Sequence, residues 1–98
     1  MNLNKEIIVE KLTAAKPFLQ QEFKLQELAL FGSYARNEQT FYSDIDIMVS
    51  EDLKSFRRYS ALFHYLQNLF VGNKVQMVSK AGIKPAYFEI LKSDLIYV

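Results

Sequence analysis

The 98-residue chain contains no cysteine and a single histidine, His64. The first absence excludes disulfides, thiolate zinc sites and cysteine nucleophiles, and the second excludes His-rich metal sites. No apolar run approaches the roughly 20 residues that a membrane span needs. The first residues carry acid and base and lack the apolar stretch of a signal peptide. The expectation is a soluble, cytoplasmic protein without membrane association. An excess of one charge sign is missing as well: twelve basic residues nearly cancel eleven acidic ones. Such a balance exerts no general pull on nucleic acid, so direct nucleic-acid binding is not indicated. Repeats, low-complexity tracts and linker-like stretches are also absent. The length suits one compact domain and is too short for two, so residues 1–98 are read as a single domain. Half of the residues are apolar, enough for a core. At this size stability is modest, and ligand or partner binding would add to it.

What is present is a regular alternation of periodicities. From about Asn4 to Glu22, Ile8, Leu12, Ala15 and Leu19 recur at helical spacing, with Ile7 and Phe18 widening the stripe. Pro17 lies inside it, so the helix either kinks there or restarts with proline in its first turn. Leu28-Ala29-Leu30-Phe31 is a short apolar run ending at a glycine and reads as a buried strand. Residues 33–37 suit a brief helical turn with Ser33 placed to cap it. Asn37 to Ser43 is polar and turn-prone. Ile45, Ile47 and Val49 then alternate with Asp44, Asp46 and Met48, which is strand periodicity with two distinct faces. Helical spacing returns from Asp52 to about Val71 with Phe56, Tyr59, Phe63, Leu66 and Phe70, and its aromatic stripe of Phe56, Tyr59, Phe63 and Phe70 reads as core. Gly72-Asn73 ends it. Lys74 to Val78 is a third strand, Lys84-Pro85 starts a short helix through Leu91, and Asp94 to Val98 closes as a fourth strand. The order predicts an α+β fold: a small mixed four-stranded sheet with helices packed on one face.

The chemistry concentrates in the middle. Asp44 and Asp46, two apart on a strand, send their carboxylates to the same face. Two such groups repel each other when ionised and are tolerated when a hard divalent cation sits between them. Magnesium commonly takes one or two carboxylates plus substrate phosphates, and paired metals are a recurring device for in-line displacement at phosphorus. Upstream, Gly32 lets the backbone approach a phosphate, and Ser33 opens a helical turn and adds a hydroxyl. Arg36, one turn on, is either a phosphate contact or ordinary surface charge. Half of the pattern thus suits an anion and half suits cations, as a metal-bound nucleoside triphosphate requires. Asp44 and Asp46 alone would also fit the solvated face of an edge strand. The joint pattern fixes four residues at set offsets, which a chain this short meets by chance roughly once in a thousand.

The run GSYARNEQTFYSDIDIMV, with Gly32-Ser33, ten residues and then Asp44-x-Asp46, resembles the signature of the polymerase-β-like nucleotidyltransferases. The length and the prolines in the first and last helices resemble the minimal nucleotidyltransferases, often antitoxin partners of HEPN-domain ribonucleases. The resemblance implies a nucleotidyltransferase fold and Mg2+ held at a two-metal site by Asp44 and Asp46. It also implies transfer of a nucleoside monophosphate, usually AMP from ATP, to an acceptor hydroxyl, in the antitoxin branch a tyrosine of the HEPN toxin. One position departs from the pattern. In Val75-Gln76-Met77-Val78, Gln76 stands where such proteins carry a third carboxylate, the one that holds the catalytic metal and helps to activate the attacking hydroxyl. Glutamine offers a carbonyl oxygen without charge or basicity, so one metal site is expected to be weakened. Asp94, Glu89 and Glu38 are candidate substitutes. The alternative is a catalytically impaired binding module that acts as an antitoxin by stoichiometric contact. A third reading is a homo- or hetero-oligomer whose partner supplies the acid.

Other residues carry plainer expectations. Tyr34 packs, and His64 is a partly exposed structural residue. Lys54, Arg57 and Arg58 form a solvated basic face, with an RNA or acidic protein partner as the alternative. Fourteen tyrosines and phenylalanines are many for this length, and some of them are expected to be exposed for a partner.

Overall fold

The structure is a computed structural model that describes residues 3–50 and 55–98. Helix α1 spans Lys5–Phe23, strand β1 Leu28–Phe31, β2 Ile45–Val49, helix α2 Phe56–Leu69, β3 Val75–Ser79, helix α3 Pro85–Leu91 and β4 Ile96–Tyr97, with single 3-10 turns on either side of α3. The strand order is β3-β2-β1-β4. Strand β1 runs antiparallel to β2 and β4, while β2 and β3 are parallel. The mixed four-stranded α+β sheet expected from the sequence is therefore present.

Helix α1 starts where Asn4 accepts a 2.8 Å bond from the Ile7 N–H, which satisfies one of the otherwise orphan donors. It buries Ile8, Leu12, Ala15 and Leu19, the stripe read from the periodicity. Pro17 sits inside the helix without a restart, and its ring is exposed. Lys24 ends the helix in the left-handed conformation (φ 58°). Helix α2 begins with Ser55 as its cap. The expected start near Asp52, and Lys54 of the basic cluster, lie outside the described residues. Arg57 and Arg58 are exposed, and Arg58 stacks 5.8 Å over the Phe23 ring.

The aromatic stripe of α2 is corrected. Leu62 and Leu66 are fully buried with Phe70, Tyr59 and Phe63 pack at the margin, and Phe56 is 83% exposed. The helix turns its leucines to the sheet and leaves its first aromatic in solvent.

The sheet is covered on both faces. Helices α1 and α2 pack on Leu28 and Leu30 of β1, Ile45, Ile47 and Val49 of β2, and Val75 and Met77 of β3. This is the one-sided packing that was expected, and α3 is the exception to it. Ala29, Phe31 and Met48 face the other way and form a second, smaller cluster with Leu91, joined by Ile83, Phe88 and Leu95. Because β1 is apolar at every position, both of its faces need cover. The exposed edge of β3 is blunted by α2. Gln67 donates to the Asn73 carbonyl (2.6 Å) and accepts from the Val75 N–H (3.0 Å), and the Tyr59 hydroxyl donates to the Met77 carbonyl (3.1 Å). Such partners keep an edge strand from recruiting another.

Candidate active site

The site forms where β1 ends. Gly32 follows the strand with φ +80°, a region that favours glycine. The next residues close one hydrogen-bonded turn: the Arg36 N–H donates to the Gly32 carbonyl (3.2 Å), Asn37 to Tyr34 (3.2 Å) and Glu38 to Ser33 (2.8 Å). The last two bonds, with Asn37 left-handed (φ 58°), have the pattern that terminates helices. The expected brief helix is thus a single turn stopped at Asn37. Ser33 gives its carbonyl to that turn. Tyr34 is buried, as expected.

Strand β2 brings the carboxylates to the Gly32 turn. Asp46 lies opposite Phe31 on β1 and beside Gln76 on β3 in the pairing register. A Cβ added at Gly32 would overlap the Asp46 carboxylate oxygen. Gly32 is therefore dictated twice, by backbone conformation and by the closeness of Asp46. Asp46 is pushed up to about 6, first by burial and then by the neighbouring charge of Asp44, with Arg36 working in the opposite direction. Repulsion between two carboxylates in a half-buried setting is the situation a divalent cation relieves.

A cavity of about 360 Å³ unites Gly32, Ser33, Arg36 and Asp46 with Tyr87, Ile90, Leu91 and Asp94. Asp44, just before β2, lines a neighbouring cavity with Gln76 and Lys74. Arg36 is held by Glu38 (2.7 Å) and Asp94 (2.5 Å), and these two acids raise its guanidinium above its ordinary value. Of the three candidate replacements for the third acid, only Asp94 reaches a cavity containing Asp46, and it does so on the β1 side, engaged with Arg36. Glu38 pairs with Arg36, and Glu89 pairs with Lys92 (2.6 Å). Sequence reasoning gave no reason to join Asp94 to Arg36 across 58 positions. The α3 residues Tyr87, Ile90 and Leu91 likewise carry no motif. Among the described residues, no three acids or histidines gather into one metal-ligating cluster. The oxygen donors present are the Asp44 and Asp46 carboxylates, with Gln76 beside Asp46 on the neighbouring strand, and two carboxylates are what magnesium commonly takes from a protein. His64 is exposed on α2.

Residues 12–98 match the model of the nucleotidyltransferase domain family. The chain belongs to that family. A candidate protein adenylyltransferase of Methanocaldococcus jannaschii is 44% identical over 95 residues, covering 93% of this chain and 94% of the relative. The protein adenylyltransferase MntA of Thermococcus cleftensis is 35% identical over 97 residues, covering 98% and 97%. A solved structure of a candidate minimal nucleotidyltransferase superposes with a TM-score of 0.79 at 25% identity, covering 97% of this chain and 96% of that one. The resemblance first carried by the Gly32-Ser33 and Asp44-x-Asp46 run thus extends across the whole fold, and the protein is a nucleotidyltransferase of the minimal kind. No helix among the described residues is long and apolar enough to cross a membrane.

Proposed function

We propose that this nucleotidyltransferase moves AMP from ATP to a hydroxyl of a protein acceptor, with Mg2+ held by Asp44 and Asp46. The observation that carries the reading is the cavity in which the Gly32-Ser33 turn meets Asp46. The turn presents backbone and hydroxyl to the triphosphate, and Arg36, already paired with Glu38 and Asp94, lines the same cavity with its remaining donors. Bound magnesium would neutralise charge on the phosphates and orient them for in-line displacement. The names of the relatives support a protein as acceptor, and a HEPN-domain partner is the first to test. Thermal unfolding with ATP, with and without magnesium, tests the site. Ligand at about 100 times its dissociation constant adds about 2.7 kcal/mol, and each kcal/mol moves the midpoint by roughly 4–8 °C at this size. Asp44→Asn is expected to abolish the magnesium-dependent part of the rise. An unchanged rise in that variant would sink the assignment.

One observation favours a second reading, a module that neutralises a partner by contact alone: Gln76 puts an amide beside Asp46. Co-expression with a HEPN partner separates the two. Adenylylated partner supports catalysis, and a tightly bound but unmodified partner supports the module.

A further inference from the structure

Arg36 and Asp94 line one cavity with Gly32, Ser33 and Asp46. They meet although 58 positions separate them, and strand pairing is the reason. Strand β4 runs antiparallel to β1 with Ile96 opposite Leu30. Carried two residues past the strands, that register brings Asp94 level with Gly32, the residue that opens the Arg36 turn. Asp94 ends the 3-10 turn Lys92–Asp94. It stands between buried Leu91 and Leu95, and both of these belong to the cluster around Phe31. Its backbone is therefore anchored on both sides. The two acids on Arg36 differ in this respect. The Asp94 side chain is only 17% exposed, whereas that of Glu38 is 65% exposed and belongs to the same surface turn as Arg36. Glu38 moves with the arginine, and Asp94 ties the arginine to the sheet.

We infer that Asp94 is a positioning residue: it holds the Arg36 guanidinium at the cavity wall, where the remaining N–H groups meet the phosphates of the nucleotide. This rests on the nucleotidyl-transfer reading above. A guanidinium carries its N–H donors in a planar fork. Glu38 takes the donor on Nε and Asp94 takes one on Nη1, which leaves the others for an anion. An arginine side chain loses much rotamer freedom when it is fixed, and the Arg36 side chain is otherwise 45% exposed. Without an anchor, the bound phosphate would have to supply that ordering. With Asp94 in place, the ordering is complete before the nucleotide arrives. The carboxylate also has a cost, because its charge repels the phosphates. Its oxygen is the useful part and its charge is not. The same pairing separates Asp94 from the metal. Its Oδ2 is engaged with Arg36 on the β1 side of Asp46, whereas Gln76, at the place of the third acid, lies on the β3 side.

Asparagine and alanine at position 94 are both uncharged, so comparing them cancels the charge and reads the hydrogen bond alone. The experiment titrates Mg-ATP into each chain by calorimetry, without an acceptor. Asp94→Asn keeps an oxygen that accepts from Arg36 and is expected to bind at least as tightly as the wild-type chain. Asp94→Ala is expected to bind about three- to tenfold more weakly than Asp94→Asn. Asp94→Leu, close in shape to aspartate and unable to accept, replaces it should alanine prevent folding. Arg36→Ala is expected to weaken binding about tenfold. In that background the asparagine and alanine chains are expected to agree within about twofold, because the group through which Asp94 acts is gone. Equal affinities of Asp94→Asn and Asp94→Ala with Arg36 present overturn the inference. So does a difference that survives Arg36→Ala, since Asp94 would then support the backbone rather than the arginine. An Arg36→Ala chain that binds as tightly as wild type overturns it by removing the phosphate contact. Loss of magnesium-dependent binding in Asp94→Asn overturns it by making Asp94 a metal ligand. In all of these cases the wild-type chain still binds Mg-ATP; a wild-type chain that does not overturns the nucleotide-site reading as well.

Discussion

At the scale of the residue, Asp46, the carboxylate proposed to hold magnesium, is held against its own burial. Its folded-state value of about 6 lies above the ordinary 3.8, so the folded chain holds the proton more tightly than the unfolded chain. The associated stability is fully present below about pH 3.8 and is lost as pH rises through about 6. A rise of that size corresponds to about 3 kcal/mol in a dry site, which solvent screening at this half-buried one reduces to about 1 kcal/mol. Asp46→Asn should therefore raise the unfolding midpoint at pH 7.5 without magnesium, by roughly 4–8 °C, and should flatten the acid side of the stability profile. The same variant should lose the magnesium-dependent shift with ATP. A midpoint that falls at pH 7.5 would mean that Asp46 is not held against its own burial.

At the scale of the element, the informative contact is the one between α2 and the edge strand. The Gln67 amide closes the turn into β3 through two bonds, to the Asn73 carbonyl and the Val75 N–H. That turn sets the register which puts Gln76 beside Asp46. Gln67→Ala leaves both backbone groups without these partners and should cost about 1–2 kcal/mol by denaturant unfolding. Alanine at the exposed neighbour Asn68 should stay within about 0.5 kcal/mol. Equal effects from the two substitutions would show that the bonds to β3 contribute nothing net.

At the scale of the whole molecule, the two faces of the sheet are unequal. The face under α1 and α2 carries most of the buried core, while the site face is closed by Leu91 and its partners from the α3 segment. A thin cover opens before a thick one. Hydrogen exchange should find the α3 amides less protected than those of β1 and β2. Mg-ATP should slow them, because Tyr87, Ile90 and Leu91 wall the cavity beside Asp46. Exchange in α3 as slow as in β1, and unmoved by the nucleotide, would contradict this division.

Much of the protein was legible in the order of its residues. The helical stripe of α1, the apolar run of β1, the alternation of β2 and the proline that opens α3 are local patterns, and local sterics and periodicity decide them. The Gly32-Ser33 and Asp44-x-Asp46 pairs were legible because the distance between them along the chain is short and fixed. Other features needed the fold, because they join residues far apart in sequence whose meeting depends on how the sheet is ordered and covered. The Phe56 ring proved to be solvent-facing because packing on the sheet took Leu62, Leu66 and Phe70 and left the first turn of α2 outside. The placement of α3 on the opposite face, the Arg36–Asp94 pair and the cavity along β3 have no local signature. Sequence alone determined the motif in which Gly32, Ser33, Asp44 and Asp46 stand at set offsets. Tertiary structure decided what stands on either side of Asp46, since only strand pairing sets Phe31 and Gln76 against it.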